Sequence, residues 1–481
     1  MSQKSIRKNY IMNLLMRVTR VIIPLITFPY VSRVLMPEGL GRVTFADSFI
    51  AYLVLIAQLG VPTYGIRACA RVRDDKTALS RTVHELMAIN IAMSLIAYAI
   101  LTVCIITVPR IKSDWQVFAV FSVNIITSAV GMEWMYEGME QYSYITKRTL
   151  ALRLISIPLV FLFLHRPEQV ILYAGIMVFT SAGPQLINVI HARKYISFRL
   201  LKGYNIKKHL KAVFTFFLMA GVTAIYTSLD KVMLGFMAGD VQVGYYSVGV
   251  KVKHVLFLCI SALVAVLLPR SSYYVEKGML NEHRKLSNKA LNYIFIVAFS
   301  LSLFFFLYAK EVVLFLSGVE YLSAVLPMRV IMPGVALIGV TNVFTTQVLI
   351  PLGKEKCVLL ANLTGAVIDI ILNALLIPKY GAFGAATGTF VAEIGVFLTL
   401  LSHGCTYVDF REIEYLKIFS AFALAGLTGW LFLGADMQAF VKLAVAAVLF
   451  FGIYATVLLV LKEKLTLEVA ETIIERIRKQ R

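Results

Sequence analysis

The sequence predicts an all-α polytopic membrane protein of about 14 transmembrane helices, built as two pseudo-symmetric six-helix lobes plus two C-terminal helices. Three observations predict it. Of 481 residues, 59% are hydrophobic and only 15% charged, with mean hydropathy +0.79; soluble domains are about a quarter charged. Apolar runs separated by short polar breaks recur along the whole chain, and at roughly 20 residues per span about 14 spans account for most of the apolar share. The net charge of +20, from 47 Lys+Arg against 27 Asp+Glu, resides mainly in the polar breaks. It therefore reads as a topology signal, and no nucleic-acid partner is expected.

The first lobe (1–195) has apolar runs starting near Tyr10, Val43, Val83, Gln116, Leu150 and Val170. The opening MSQKSIRKNY mimics a signal peptide. Arg17 and Arg20 interrupt its apolar stretch and no small-x-small cleavage site follows, so it is expected to stay as the first helix. The longest basic break, HARKYISFRLLKGYNIKKHLK, places an inter-lobe cytoplasmic linker at 196–212. The second lobe (213–405) has runs starting near Val213, Val243, Lys289, Leu322, Cys357 and Phe383. Two more runs, near Leu416 and Gln438, fill 406–461. The cytoplasmic tail, 462–481, is amphipathic, with Leu467, Ala470, Ile474 and Ile477 at helical spacing. Pro24, Pro29, Pro158, Pro184, Pro327 and Pro333 fall within runs, as bilayer helices tolerate when neighbours re-satisfy the backbone. Trp115 and Trp134, near opposite ends of the fourth helix, are expected to mark its interfaces.

Orientation follows from the bases. With the N-terminus inside, the cytoplasmic segments hold 32 Lys and Arg, the outer loops 7 and the helices 8. Both termini are then cytoplasmic. Cys69, Cys104, Cys259, Cys357 and Cys405 form no CxxC pair, the seven histidines form no HExxH, and no Walker A sequence occurs. No cofactor is expected.

The chain also echoes itself. SRVLMPEGLG followed by TFADSF at helices one and two parallels DKVMLGFMAGD followed by GYYSVG at helices seven and eight; GMEQYSYITKRT and GKEKCVLLANLT open helices five and eleven alike. MPEGLGRVTFADSF, LGVPTYGIR, SLDKVMLG with VGYYSVGVKV, and LIPKYGAFGAATGT resemble the Wzx-type oligosaccharide flippases, within the multidrug/oligosaccharidyl-lipid/polysaccharide exporter superfamily. The resemblance runs through helices one to twelve in order. It implies a two-lobe bundle in the bacterial plasma (inner) membrane that moves an undecaprenyl-diphosphate-linked oligosaccharide to the outer leaflet. It also implies contact with membrane lipids, and with a polymerase and other polysaccharide-assembly proteins.

Residues for such a substrate are sought among charges inside the spans, where each costs about 2.5–3.5 kcal/mol on insertion scales and so faces a cavity or a partner. Asn13, Arg17 and Arg20 share one face of the first helix. Lys251 and His254 align on the eighth, with Lys253 on its flank, and Arg329 lies in the tenth. Arg17, Arg20, Lys251, Lys253 and Arg329 are the diphosphate candidates, since guanidinium and ammonium groups make charge-assisted bonds to phosphate. Asn13, Asp47, Gln58 and His254 are candidate polar cavity residues, Asp47 and Gln58 also as partners of sugar hydroxyls. Tyr52, Tyr64 and Tyr226 are alternative stacking platforms, with ordinary packing the competing reading. The stripe Glu133, Glu137 and Glu140, near Lys147, Arg148 and Arg153, reads as a structural ion network.

Asp230, Asp369, Asn373, Thr389 and Glu393 put acids and oxygen donors inside the second lobe's helices. The resemblance suggests a sodium site there, because some relatives use an acid on helix seven, Asn and Asp on eleven and Thr on twelve. A proton site, or a salt bridge to Lys251 or Arg329, fits the same residues. The run Gly384 to Gly388 is expected to allow close helix packing or a hinge. Two rivals stand beside the flippase reading. One is a multidrug-cation exporter of the same superfamily, which calls for an acidic or aromatic cavity. The other is a membrane polymerase or glycosyltransferase, for which no clustered catalytic motif or long outer loop appears.

Overall fold

The computed structural model describes the backbone of residues 3–468, 471 and 475, and the side chains of these except 3–11, 13–18, 20–22, 24, 226, 263 and 412. All regular structure among the described residues is helical. Among the described residues, eleven helical stretches are long and apolar enough to cross a bilayer. An all-helical solution is what lipid demands, because each peptide group must find its partner within the segment. The chain forms two compact units, Met1–Gly244 and Tyr245–Arg481.

The first unit contains α1 (Gln3–Gln58), α2 (Val61–Val72), α3 (Lys76–Thr107), α4 (Pro109–Ser113), α5 (Trp115–Val130), α6 (Glu133–Gly138), α7 (Tyr142–Phe163), α8 (Val170–Ala192), α9 (Lys207–Met237) and the first residues of α10 (Asp240–Glu276). The long α1 is interrupted at Met36, whose φ of 60° and ψ of 173° are non-helical. Pro37 follows, and proline disfavours α geometry in the residue before it. The resulting turn packs against the start of α10. A Cβ added at Gly41 would lie 1.8 Å from the Asp240 carbonyl oxygen, and one at Gly244 would lie 2.1 Å from that of Pro37. The two turns that the internal repeat pairs in sequence are thus in backbone contact.

Trp134 does not mark an interface. It is 4% exposed and lies over Gly65, where a Cβ would come 2.6 Å from its ring. The chain reverses into α6 at Met132, with a left-handed φ of 49°, and this carries the indole inward against α2. Trp115, by contrast, is 52% exposed.

The second unit contains the rest of α10, then α11 (Leu280–Leu307), α12 (Ala309–Ser317), α13 (Val325–Val343), α14 (Glu355–Gly404), α15 (Tyr415–Phe432) and α16 (Ala439–Val460). A π-helical turn, Phe344–Leu349, extends α13. Its irregular backbone is tied down. The Gln347 carbonyl accepts from Ser271 Oγ at 2.7 Å and lies 2.8 Å from His283 Nε2. α14 folds back on itself at Gly381, whose φ of +53° suits a residue without Cβ. The two arms then lie against each other through Gly384 and Gly388. A Cβ at Gly384 would meet the Leu376 carbonyl oxygen at 2.5 Å. Small residues permit this approach where lipid provides no hydrophobic drive for helices to associate. α16 is anchored by Lys442, 2.9 Å from Glu311 of α12, with its ammonium also donating to the Leu433 carbonyl at 2.6 Å.

Candidate functional site

Inside the second unit, α10, α13 and both arms of α14 gather polar side chains. Tyr246 and Thr389 share a hydrogen bond of 2.8 Å, and Thr389 Oγ1 donates to the Ala385 carbonyl at 2.9 Å. With the threonine proton committed, the tyrosine is the donor between the two. Asn373 is fully buried, and its Oδ1 would be 2.5 Å from a Cβ at Gly388. Asp369 lies one turn before Asn373 and Glu393 one turn after Thr389, both buried. Glu393 also reaches α13, where its Cγ would be 3.8 Å from a Cβ at Gly334.

The bases around this cluster differ in setting. Lys253 is 4.0 Å from Glu393, a separation that allows Coulomb attraction but no hydrogen bond. Lys251 is half-buried and His254 exposed on the same helix. Arg329 is half-buried on α13, and its buried Nε has no hydrogen-bond partner among the described residues. Ammonium and guanidinium groups beside buried carboxylates can bind an anion, and oxygen donors such as Asp369, Asn373 and Thr389 suit a hard cation or a proton. Asp230 is buried as well, but in the first unit.

Charges in the first unit are more tightly closed. Buried Arg148 donates to the Pro184 carbonyl at 2.7 Å and to Glu133 Oε2 at 2.9 Å. Gln185 Nε2 donates to that same carboxylate oxygen at 3.1 Å. Glu140 pairs with Arg73 at 2.9 Å. Glu133 and Glu140 of the acidic stripe therefore tie the fold together, the first through the expected Arg148 and the second through Arg73, which the sequence reading did not name. Arg42 pairs with Asp114 and Arg110 with Asp240, which joins the Met36 turn, the α4–α5 junction and the start of α10. Two tyrosines considered for sugar stacking are engaged in the fold. Tyr52 donates to the Ala224 carbonyl at 2.9 Å, and Tyr64 is hydrogen-bonded to His209 at 2.8 Å.

The first unit also holds a cavity of about 280 Å³ between α1, α5 and α8, with a mostly apolar exposed wall. Asp47, Asn124, Ser128, Ser181 and Gln185 line it, with Ile50 and Val54. Gln58, at the end of α1, is half-buried and is not among the lining residues. Asn13, Arg17 and Arg20 lie outside the described side chains, as do Tyr226 and the tail positions Ala470, Ile474 and Ile477.

Sequence reasoning missed Tyr246, Asn124, Ser181 and Gln185. The last two carried a signal, since polar residues at i and i+4 in the apolar run of α8 share one face. It also missed Glu85, whose buried carboxylate accepts from Asn205 N at 2.6 Å and contacts Lys208 and His209 at 2.8 Å. Those contacts fix the segment leading into α9.

Comparison with known proteins gives a consistent picture. The family described as polysaccharide biosynthesis protein matches residues 6–275. The chain is 23% identical over 407 residues to a "Putative O-antigen transporter" of Escherichia coli, covering 83% of this chain and 94% of that one. It is 25% identical over 405 residues to a Shigella dysenteriae protein of the same description, covering 82% and 99%. Among solved structures, lipid II flippase MurJ in an inward closed conformation is similar with TM-score 0.73 at 13% identity, over 95% of this chain and 99% of that one. An inward-facing multidrug resistance MATE family transporter of the MOP superfamily is similar with TM-score 0.59 at 15% identity, over 81% and 98%. Both likenesses show the fold.

Proposed function

The chain belongs to the polysaccharide biosynthesis protein family, and on that premise we propose that it is a flippase for an undecaprenyl-diphosphate-linked oligosaccharide repeat unit. It carries the unit from the inner to the outer leaflet of the bacterial plasma membrane by alternating access, for assembly of a surface polysaccharide. Its substrate leaves with no covalent change, so the chain is a transporter and not an enzyme. The observation that carries this reading is basic side chains held within apolar helices of a chain from this family, Lys251, Lys253 and Arg329 among those described. Their insertion cost is offset when a diphosphate supplies the counter-charge.

The proposed topology has fourteen crossings. Each of the two interrupted stretches, α1 with α2 and α14, counts as two, and α7 adds one to the eleven stretches. Both termini are then cytoplasmic, and the Arg42–Asp114 and Arg110–Asp240 pairs lie at the outer end of the first unit. Coupling to sodium or to protons is assigned to Asp369, Asn373, Thr389 and Glu393.

The test is translocation in proteoliposomes. Purified protein should move a labelled lipid-diphosphate oligosaccharide between leaflets with its covalent structure intact. Replacing Arg17 or Arg20 with Ala, with expression confirmed, should abolish surface polysaccharide in cells. Normal polymer in both variants removes these arginines from the diphosphate site, and a chemically altered product points to an enzyme.

A further inference from the structure

The segment between α8 and α9 lies outside the spanning stretches, one of which ends at Ala192 and the next of which begins at Lys207. From 193 to 211 the chain has seven Lys and Arg and no acid. This linker is fastened to α3. Ser197 N donates to Ser80 Oγ at 3.0 Å, and Asn205 N donates to Glu85 Oε1 at 2.6 Å. Between them, Tyr204 Oη accepts from Leu201 N at 2.8 Å and lies 3.0 Å from His84 Nδ1. His209, buried at the start of α9, stands 2.8 Å from both Glu85 Oε2 and Tyr64 Oη.

That fastening fixes a level and a face. The 32 residues of α3 rise about 48 Å, against about 30 Å of hydrocarbon in a bilayer. Its closing turns, ILTVCIIT, are apolar and its opening turns, KTALSRTVHE, are not. The excess length is therefore at the opening end, in the headgroup layer, and Ser80, His84 and Glu85 hold the linker there. Ile196 is buried, so one side of the linker packs on the fold. On the other side Leu200 is 90% exposed, with Phe198 and Ile206 exposed beside it. Arg199, Lys202 and Lys207 are exposed among them. Lys208 is paired with Glu85, whereas none of those three bases is in an ion pair among the described residues. Large apolar side chains interleaved with bases suit a bilayer surface, where the first enter the acyl boundary and the second meet phosphates. At this level the neighbour is lipid, and a soluble partner would have to displace it.

We propose that this face of the linker is a docking surface for anionic phospholipid. Phe198, Leu200 and Ile206 enter the interface, and Arg199, Lys202 and Lys207 hold headgroup phosphates that carry a net negative charge. The proposal needs a chain that spans the bilayer and does not depend on its cargo.

The test uses the full chain carrying the photo-crosslinker p-benzoylphenylalanine at Leu200. It is placed in nanodiscs of phosphatidylcholine with phosphatidylglycerol as the minor component and no oligosaccharide lipid. Mass spectrometry then reads which lipid is captured. Phosphatidylglycerol should be enriched about threefold over its share of the disc, and high salt should abolish the enrichment by screening the surface charge. The same crosslinker at exposed Leu172, near the other end of α8, should report the bulk share. Arg199→Gln with Lys202→Gln and Lys207→Gln should keep lipid capture at Leu200 and lose the enrichment. Capture of no lipid at Leu200, capture at the bulk share in the unaltered chain, or equal enrichment at Leu172 overturns the proposal. Enrichment that survives high salt or the triple substitution overturns it as well. In cell membranes, capture of a protein in place of lipid assigns the face to a protein partner and has the same consequence. If the triple variant does not fold, the salt dependence of the unaltered chain still decides.

Discussion

Arg148–Glu133 in the first unit and Lys253–Glu393 in the second are both ion pairs in apolar helical surroundings, yet they are built differently. Arg148 is 3% exposed in its side chain, contacts Glu133 at 2.9 Å and donates to a backbone carbonyl besides. Glu133 takes a further bond from Gln185. Lys253 is 21% exposed and stands 4.0 Å from its carboxylate. A buried guanidinium that already donates to a carbonyl and a carboxylate is closed to a ligand, whereas a partly exposed ammonium short of contact distance keeps its donors. The first pair serves the fold, and the second belongs to the helices proposed to serve transport.

The sharpest way to break that contrast is to remove half of the tight pair. Arg148→Ala leaves Glu133 without its cation and the Pro184 carbonyl without its donor. Losing one partner of a buried pair costs about 3–5 kcal/mol. The variant is expected to lose much of its folded yield and thermal stability, measured by size-exclusion chromatography after heating. Arg148→Met with Glu133→Leu should recover most of it, because no lone charge remains. If Arg148→Ala is as stable as the parent and only transport fails, the division between the two pairs is wrong.

Part of the first pair could be read from the chain before folding. The acidic stripe beside Arg148 pointed to the Arg148–Glu133 pair, and the GAATG run pointed to a close helix contact that the fold contains. Side-chain partners across helices were not legible. Arg110 meets Asp240 from 130 residues away, and Asn124 meets Ser181 from 57. Such pairings depend on how each helix is rotated about its axis. Helices that are apolar nearly all round leave that rotation to packing rather than to a hydrophobic stripe. Trp134 shows the same limit: Gly131 ends α5 with ordinary right-handed geometry, and the left-handed turn that carries the indole inward falls on Met132, a residue type that does not announce it.

A second comparison lies within α14, where packing rather than charge fixes the site. Gly388→Ala would push a methyl group into Asn373 Oδ1, 2.5 Å from the added carbon. Overpacking of this kind costs about 1–3 kcal/mol. The substitution should lower thermal stability by that amount and displace the Asn373 side chain, weakening any sodium or proton dependence of transport. Gly175→Ala meets nothing within 4 Å and is the control. Equal behaviour of the two variants would show that the arms of α14 are looser than their contacts indicate.

Lys253→Met tests the loose pair directly. At 4.0 Å and with no hydrogen bond between the two, its loss should cost less stability than the loss of Arg148. Translocation should nevertheless fall at least tenfold. A large stability loss with transport per folded molecule unchanged would put Lys253 in the same class as Arg148.

The smallest effect concerns a carboxylate outside the spans. Glu463 precedes the helical turn that starts at Lys464 and caps it, accepting from Leu465 N at 3.1 Å and Thr466 N at 2.7 Å. Burial pushes its carboxyl up, but the Thr466 hydroxyl and amide, Asn292 and the Leu465 amide together hold it below its ordinary value of 4.5. A depressed folded value means that the cap stabilises the turn fully at neutral pH, and that this contribution fades as acid protonates the folded carboxylate below about pH 4.5. Hydrogen exchange at residues 465–468 should therefore, after correction for intrinsic rates, show protection that is flat from pH 7 to 5 and falls below that. Glu463→Gln should give weaker protection with no such fall, and an identical acid response in that variant would mean that another group controls the turn.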